Sequence, residues 1–290
     1  MTILSRTSLI PDPSSIFMPP TSRADAESPA PTPSAVPLPD RSENRPEPGP
    51  QKETESQAAA ADEPHQDSEA FPQPKLRLEV RDIGHPGAQK FLGAVNASDV
   101  LTRAVANIQR LLYRTVADPA THMPPTRSVT VFLRVMDGVA YTNGSELDDD
   151  HKEIHFSLDY LNQISEARLA HEIDGVLTHE LTHCYQWNGH GTCPGGLIEG
   201  IADWVRLNCD LSPPHWRRDP GDKWDAGYQH TAYFLQYLEG RFGPGTIRKM
   251  NEKLRQHTYE AKPFWTELLG GSVEQLWGDY LDHVKKGKKA

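Results

Sequence analysis

Cysteine is scarce in this sequence, and long apolar runs are missing from it. The 290 residues include three cysteines, Cys184, Cys193 and Cys209. This odd number at low density excludes a disulfide-rich scaffold. We expect Cys184 to be a buried thiol, while a bridge between Cys193 and Cys209 stays open as an alternative. Because no run of about 18 apolar residues occurs, we expect no membrane partner.

Basic clusters are missing as well. The chain has 30 basic and 40 acidic residues, which gives a formal net charge of −10. Its densest basic stretch is the short KKGKK near the end of the sequence, which is typical of a solvated terminus. Proteins that bind nucleic acid usually present a basic patch or stripe. We therefore expect no nucleic-acid partner.

The first 74 residues differ in composition from the rest. They hold 15 of the 25 prolines, 12 acidic and 5 basic residues, and two aromatic residues, Phe17 and Phe71. So few apolar side chains cannot offset the entropy that is lost on ordering. We predict a disordered, proline-rich acidic tail over residues 1–74 and a folded domain over residues 75–290. The start lacks the apolar core of about 7–15 residues of a secretory signal, so the default expectation is a cytoplasmic protein.

After residue 74 the apolar residues recur with two kinds of spacing, that of strands and that of helices. Alternating apolar residues predict strands over KLRLEVRDIG, SVTVFLRVM, residues 139–142 and EIHFSLDYL, with a turn at Asn143–Gly144. Helical spacing predicts helices over residues 91–115, 169–187, from 197 onward, 224–242 and 273–286. This order predicts an α+β domain with a small, mostly antiparallel sheet followed by helices.

Two polar features of the strand region have ordinary interpretations. The adjacent acids of residues 148–150 lack the alternate spacing of a calcium-binding loop, so we expect a solvated turn there. We expect His155, in the last predicted strand, at the surface and not as a metal ligand.

The motif H-E-x-x-H occurs at His179, Glu180 and His183. Residues four apart in a helix lie on one face, so both imidazoles can bind one metal ion. Zinc suits this pair because it accepts neutral imidazole nitrogens. Glu180 lies next to the first histidine, where it can take a proton from a metal-activated water.

A catalytic zinc site needs a third protein ligand and one open position. Glu199 and Asp203 lie one turn apart in the next predicted helix, past a glycine-rich bend. Glu199 can complete a His-His-Glu site, and Asp203 can orient a ligand histidine by a hydrogen bond. His190 is the rival third ligand, but it follows His183 by seven residues instead of six. The glycine that a tighter turn requires is replaced by Gln186, so the spacing favours Glu199.

The run HELTHCYQWNGHGTCPGGLIEGIADWVRL resembles the signature of the plant basic secretory protein family, which also has members in fungi and bacteria. KWDAGYQHTAYFLQYLE and SVEQLWGDY resemble later blocks of that family, so the similarity covers roughly residues 76 to 284. The family is grouped with gluzincin-type metallopeptidases. The resemblance implies a zincin-like fold with His179, His183 and Glu199 as zinc ligands. The plant relatives are secreted and basic, whereas this chain is acidic and lacks a convincing secretory signal, so the default expectation stays cytoplasmic.

The pattern Y-x-x-T-A at Tyr228 resembles the tyrosine segment that follows the glutamate ligand in gluzincin aminopeptidases. The resemblance implies that Tyr228 steadies the oxyanion of peptide hydrolysis, because zinc is usually helped by a hydrogen-bond donor. Packing of Tyr228 in the core is the alternative, and His230 and Tyr233 are further candidates.

These observations lead to one preferred function and one rival. We expect a zinc-dependent peptidase, acting on a peptide or protein substrate, in which Glu180 is the general base. The rival is a non-catalytic, defence-type or binding protein that keeps the fold and the metal site. The intact Glu180 favours the enzyme, because a binding protein has no need of it.

Overall fold

The computed structural model describes residues 70–287. Its strands are β1 (Lys75–Val80), β2 (Ser128–Arg134), β3 (Ala140–Ser145) and β4 (Asp148–Ser157). They form one four-stranded sheet with the order β1-β2-β4-β3. The tail predicted over residues 1–74 falls mostly in residues 1–69, outside the described range, and stays a prediction.

The sheet is mixed, so the prediction of a mostly antiparallel sheet is wrong. β1 pairs with β2 and β2 pairs with β4 in parallel, while β3 and β4 are antiparallel. Helices lie between β1 and β2 in the chain and return it in the same direction, which makes that pair parallel. Periodicity predicts that a segment is a strand, but it does not predict which strand will pair with it.

Strand β4 is longer at its start and shorter at its end than predicted. Residues 148–150 belong to the strand, so the solvated turn expected there is wrong, and Asn143 and Gly144 belong to β3. At the other end, the Ser157 side chain accepts a hydrogen bond from the backbone N–H of Tyr160 at 3.2 Å. This N-cap ends the strand and starts a helix.

The expectation that His155 lies at the surface is also wrong. His155 is 9% exposed. Its ring stacks between Phe132 and Tyr141, with centroid distances of 4.9 and 4.6 Å. These residues are direct neighbours on three adjacent strands, so the pairing of the sheet creates the stack.

Helices make up most of the remaining described chain. Their bounds are α1 (Pro86–Ala94), α2 (Ala97–Ile108), a π-helical turn (Gln109–Tyr113), α3 (Leu158–Gln163), α4 (Glu166–His183), α5 (Gly195–Leu207), α6 (Tyr228–Phe242), α7 (Thr246–Gln256), α8 (Ala261–Leu269) and α9 (Val273–Gly287). The helix predicted over residues 91–115 is divided at Val95, because the Asn96 side chain caps α2 by accepting from the N–H of Ser98. None of these helices has the length and apolarity needed to cross a membrane.

Helix α4 lies at the centre of the domain. It packs against α1, α2, α5 and β3, and most of its second half is buried. The adjacent core includes the inward residues of the sheet, such as Val131, Ile154 and Phe156, each 0% exposed. All three cysteines are free thiols, and Cys184 is buried as expected. A helix buried on so many sides holds its side chains in defined positions, which matters for the site it carries.

Candidate metal centre

The two histidines of the H-E-x-x-H motif lie on one face of α4, as the spacing predicts. Their Nε2 atoms are 3.1 Å apart, and the rings meet edge to face at a centroid distance of 4.8 Å. Both Nε2 atoms therefore point toward one place beside the helix.

Helix α5 brings Glu199 to the same place. The Glu199 Oε2 atom lies 3.1 Å from His179 Nε2, and its Oε1 atom lies 3.7 Å from His183 Nε2. Burial by itself would raise the pKa of Glu199, but the hydrogen bond and charge of His179 outweigh it and lower this pKa. Within residues 70–287, His179, His183 and Glu199 form the group whose ligand atoms converge, all within 4.8 Å of one another.

The spacing of these donor atoms fits a zinc ion. Zinc binds imidazole nitrogen at about 2.0–2.1 Å in tetrahedral geometry, so two of its ligand atoms lie about 3.3 Å apart. The separations of His179 Nε2 from His183 Nε2 and from Glu199 Oε2 are both 3.1 Å, close to that value, and the other Glu199 oxygen, Oε1, lies 3.7 Å from His183 Nε2. The donor set, two imidazoles and one carboxylate, is also that of catalytic zinc sites with an open position. The residues present therefore fit the metal.

Asp203 holds the other ring nitrogen of His179. Its Oδ1 atom lies 2.7 Å from His179 Nδ1, and Asp203 is 2% exposed. Burial would lower the pKa of His179, but the charge and hydrogen bond of Asp203 raise it well above its usual value. A carboxylate at Nδ1 keeps a proton on that atom and directs the Nε2 lone pair toward the centre.

Glu180 lies beside the group but is not part of it. Its side chain is buried, at 6% exposure, and its Oε2 atom accepts a hydrogen bond of 2.7 Å from the Thr142 hydroxyl of β3. Burial raises the pKa of Glu180 despite the opposing effects of His179 and of the Thr142 hydrogen bond. The Glu180 carboxylate is therefore held in place and is separate from the three side chains whose donor atoms converge.

Tyr228, the first residue of α6, reaches the site from a third direction. Its ring is nearly parallel to that of His179, at 17° and a centroid distance of 6.5 Å. Its φ angle of 45° is unusual for a residue other than glycine. Burial, followed by the charges of Glu199, Asp203 and Glu180, raises the pKa of its hydroxyl. Tyr228 is thus half-buried beside the carboxylates.

Glycines on α5 allow α6 and the loop before it to come close to α5. A Cβ atom at Gly196 would lie 1.9 Å from the backbone oxygen of Asp225, and one at Gly200 would lie 2.2 Å from Thr231 Cγ2. Thr231 also joins the loop before α6, because its hydroxyl accepts from the N–H of Gly227 and donates to the oxygen of Trp224. The two helices therefore pack closely where Tyr228 begins α6.

The other candidates from the sequence lie elsewhere. His190 lines a cavity of about 500 Å³ with Lys253 and His257 and is outside the converging group of described residues. The His230 ring contacts the backbone oxygen of Asp219 at 2.7 Å. Tyr233 packs against Trp216.

Sequence analysis missed two residues at the site. Thr142, which contacts Glu180, is not part of any recognisable sequence motif. Gln186 was considered only as the place where a glycine was lacking, yet its side-chain Nε2 lies 2.7 Å from His183 Nδ1. It follows His183 by three residues, and this helical spacing is the signal that would have found it.

The structure is thus an α+β domain in which two histidines and a glutamate, a group that could hold a metal ion, lie beside a separate buried glutamate. A family model described as a peptidase of plants and bacteria matches residues 73–280. The chain belongs to this family, the basic secretory protein family, as its sequence motifs predict. Membership supports a peptidase-type function. No curated protein and no solved structure matches the chain.

Proposed function

We propose that this protein is a zinc-dependent peptidase with a zincin-like fold, in which His179, His183 and Glu199 hold the zinc ion. The observation that carries the proposal is the placement of Glu180. Its buried carboxylate lies beside three converging donors, is held by Thr142 and is not itself one of the donors. A site that only stored or bound a metal would gain nothing from it.

Zinc, when bound, supplies Lewis acidity that polarises the scissile carbonyl and lowers the pKa of water. Glu180 then handles the protons. Thr142 occupies Oε2 of Glu180, so Oε1 is the atom that takes a proton from the attacking water. The same carboxyl delivers that proton to the nitrogen of the leaving amine. A raised pKa suits this role, because a general base works best when its pKa lies near the working pH.

Tyr228 and β3 are assigned supporting roles. The Tyr228 hydroxyl keeps its proton, because its pKa is raised, and it donates a hydrogen bond to the developing oxyanion. β3 is an edge strand of the described sheet and carries Thr142. An extended peptide pairing with such an edge would lie beside the residues that cleave it.

The test is a comparison of Glu180→Gln with the unaltered chain on a peptide library, with zinc content measured in parallel. General acid–base catalysis typically contributes about 10²–10⁴-fold, so cleavage should fall by that factor while zinc content is retained. Glu166→Gln is the matched control, because Glu166 is an exposed glutamate of the same helix.

Two results would contradict the proposal. Equal cleavage by Glu180→Gln and the unaltered chain would remove Glu180 from the mechanism. An unaltered chain that binds zinc but cleaves no peptide of the library would favour the non-catalytic binding protein.

A further inference from the structure

The two histidines of the centre are supported by different chemical groups. His179 Nδ1 faces the carboxylate of Asp203, whereas His183 Nδ1 faces the side-chain amide of Gln186, each at 2.7 Å. A carboxylate can only accept a hydrogen bond. An amide offers an oxygen that accepts and a nitrogen that donates. The two histidines are therefore not equivalent.

The backbone around Gln186 is fixed by hydrogen bonds. It lies one turn beyond the end of α4, and its backbone N–H donates to the oxygen of Thr182 at 2.8 Å. The next residue, Trp187, donates its backbone N–H to the Asn251 side chain at 2.9 Å. These contacts extend the order of α4 past its last residue, and the Gln186 side chain points back along the helix to His183.

The hydrogen bond to His183 depends on which ring nitrogen carries the proton. The side-chain amide of Gln186 faces His183 Nδ1, and an amide has one end that can donate to this atom and one that can accept from it. A cation at the centre needs the Nε2 lone pair, and the proton then has to lie on Nδ1. Nδ1–H requires an acceptor, and the same amide supplies one in its Oε1 atom, which is buried and has no hydrogen-bond partner among residues 70–287.

We infer that Gln186 is a positioning residue for His183: its side-chain oxygen accepts a hydrogen bond from Nδ1–H when Nε2 binds a metal ion. The inference rests on the proposed zinc site and adds a residue to it. An amide does this without adding charge to a centre that already contains Glu180, Glu199 and Asp203.

The test measures zinc affinity by competition with a chelator. Gln186→Met keeps the length of the side chain and loses its hydrogen bond to His183, so its zinc Kd should rise about 10–100-fold, as for other partners of metal-binding histidines. Gln186→Glu keeps the acceptor and should bind zinc at least as tightly as the unaltered chain. Gln163→Met, at an exposed glutamine of α3, is the matched control.

A second measurement separates positioning from general packing. Nitrogen-15 NMR of the unaltered chain with zinc should place the His183 proton on Nδ1, in a hydrogen bond to the Gln186 side chain. This readout remains decisive if Gln186→Met does not fold. Unchanged zinc affinity in Gln186→Met, or a His183 Nδ1–H of the zinc-bound chain that makes no hydrogen bond to Gln186, would overturn the inference alone. An unaltered chain that binds no zinc would overturn the proposed metal site together with it.

Discussion

Helices α4 and α5 contact each other at two positions along their axes, called levels here. The buried charges have different kinds of partner at the two levels. At one level His179 faces Glu199. About two turns away along both helices, Glu172 of α4 faces Arg206 of α5 at 3.2 Å. The first level is the candidate metal centre, and the second is a buried ion pair. The same pair of helices thus provides both a site and a comparison for it.

The ion pair is chemically complete. Glu172 accepts hydrogen bonds from Tyr160 at 2.9 Å, Arg168 at 3.1 Å and Arg206 at 3.2 Å. Arg206 also donates to the backbone oxygen of Leu211. Gly175 makes room for its guanidinium, since a Cβ atom there would lie 2.6 Å from it. The charges at this level are matched within the protein.

The centre lacks such a match. Among the ion pairs of residues 70–287, Glu199 and Asp203 have only histidines as partners. Burial would raise the pKa of both Glu172 and Glu180, but Arg206 and the hydrogen-bonding partners of Glu172 reverse this effect and lower its pKa. Within residues 70–287 the main influences on Glu180 are burial, His179, Thr142, Glu199 and Asp203, with no arginine among them, and its pKa is raised. The difference indicates that one level stabilises the fold, while the other is a group that could hold a metal ion.

Removing the carboxylate of the buried ion pair should have the largest effect on the free energy of unfolding. Glu172→Gln leaves Arg206 as a buried charge without its counterion, and such losses cost about 3–5 kcal/mol. Urea unfolding of the metal-free protein measures it, with Glu166→Gln as the control. The same substitution at Glu180 should leave stability unchanged or higher, because a neutral amide replaces a poorly matched carboxylate. Equal effects at Glu172 and Glu180 would contradict the comparison.

The effect of Glu172 should also depend on pH. Its pKa is lowered by folding, so the stability it contributes is present above its unfolded pKa of about 4.3 and is lost as pH falls through the folded value. The unfolding free energies of Glu172→Gln and the unaltered chain should therefore converge in acid. A difference that stays constant from neutral to acidic pH would argue against the ion pair as its source.

Removing a donor side chain from the candidate metal centre should weaken zinc binding. Glu199→Ala takes away one of the three converging donors, so zinc affinity should fall by more than about 100-fold, beyond the loss of an outer partner. His190→Ala should change it little, since His190 lies outside the group. Chelator competition checks both variants. Comparable losses in the two would show that the third ligand is misassigned.

A smaller change sharpens the role of Glu180. Thr142→Val keeps the shape of the side chain and removes the hydrogen bond to Glu180. Hydrogen bonds to charged groups contribute about 1.5–3 kcal/mol, so kcat should fall at least about 10-fold, with KM and zinc affinity unchanged. Thr142→Ser should restore kcat, because it restores the hydroxyl. A serine variant as slow as the valine variant would show that Thr142 acts through packing.

Local helix geometry made the centre of the site predictable. The spacing of His179 and His183 puts both rings on one face of any helix, whatever surrounds it. Glu199 and Asp203 follow the same rule on α5, and their order after the motif, with the family resemblance, led to the assignment of their roles. Those roles stay predictions, while the structure places the side chains together.

Contacts between distant segments were not predictable in this way. Thr142 is 38 positions from Glu180 and reaches it because β3 lies at the edge beside β4 and against α4. The mixed pairing of the sheet and the burial of His155 have the same origin. Periodicity and motif spacing in the sequence were enough for five helical stretches, for the faces of α4 and α5 that carry the candidate metal-binding residues, and for the family, but not for α3, α7 and α8. The pairing of the strands and the contacts of Glu180 and Tyr228 became visible in the folded domain alone, because periodicity describes one segment at a time and these contacts join several.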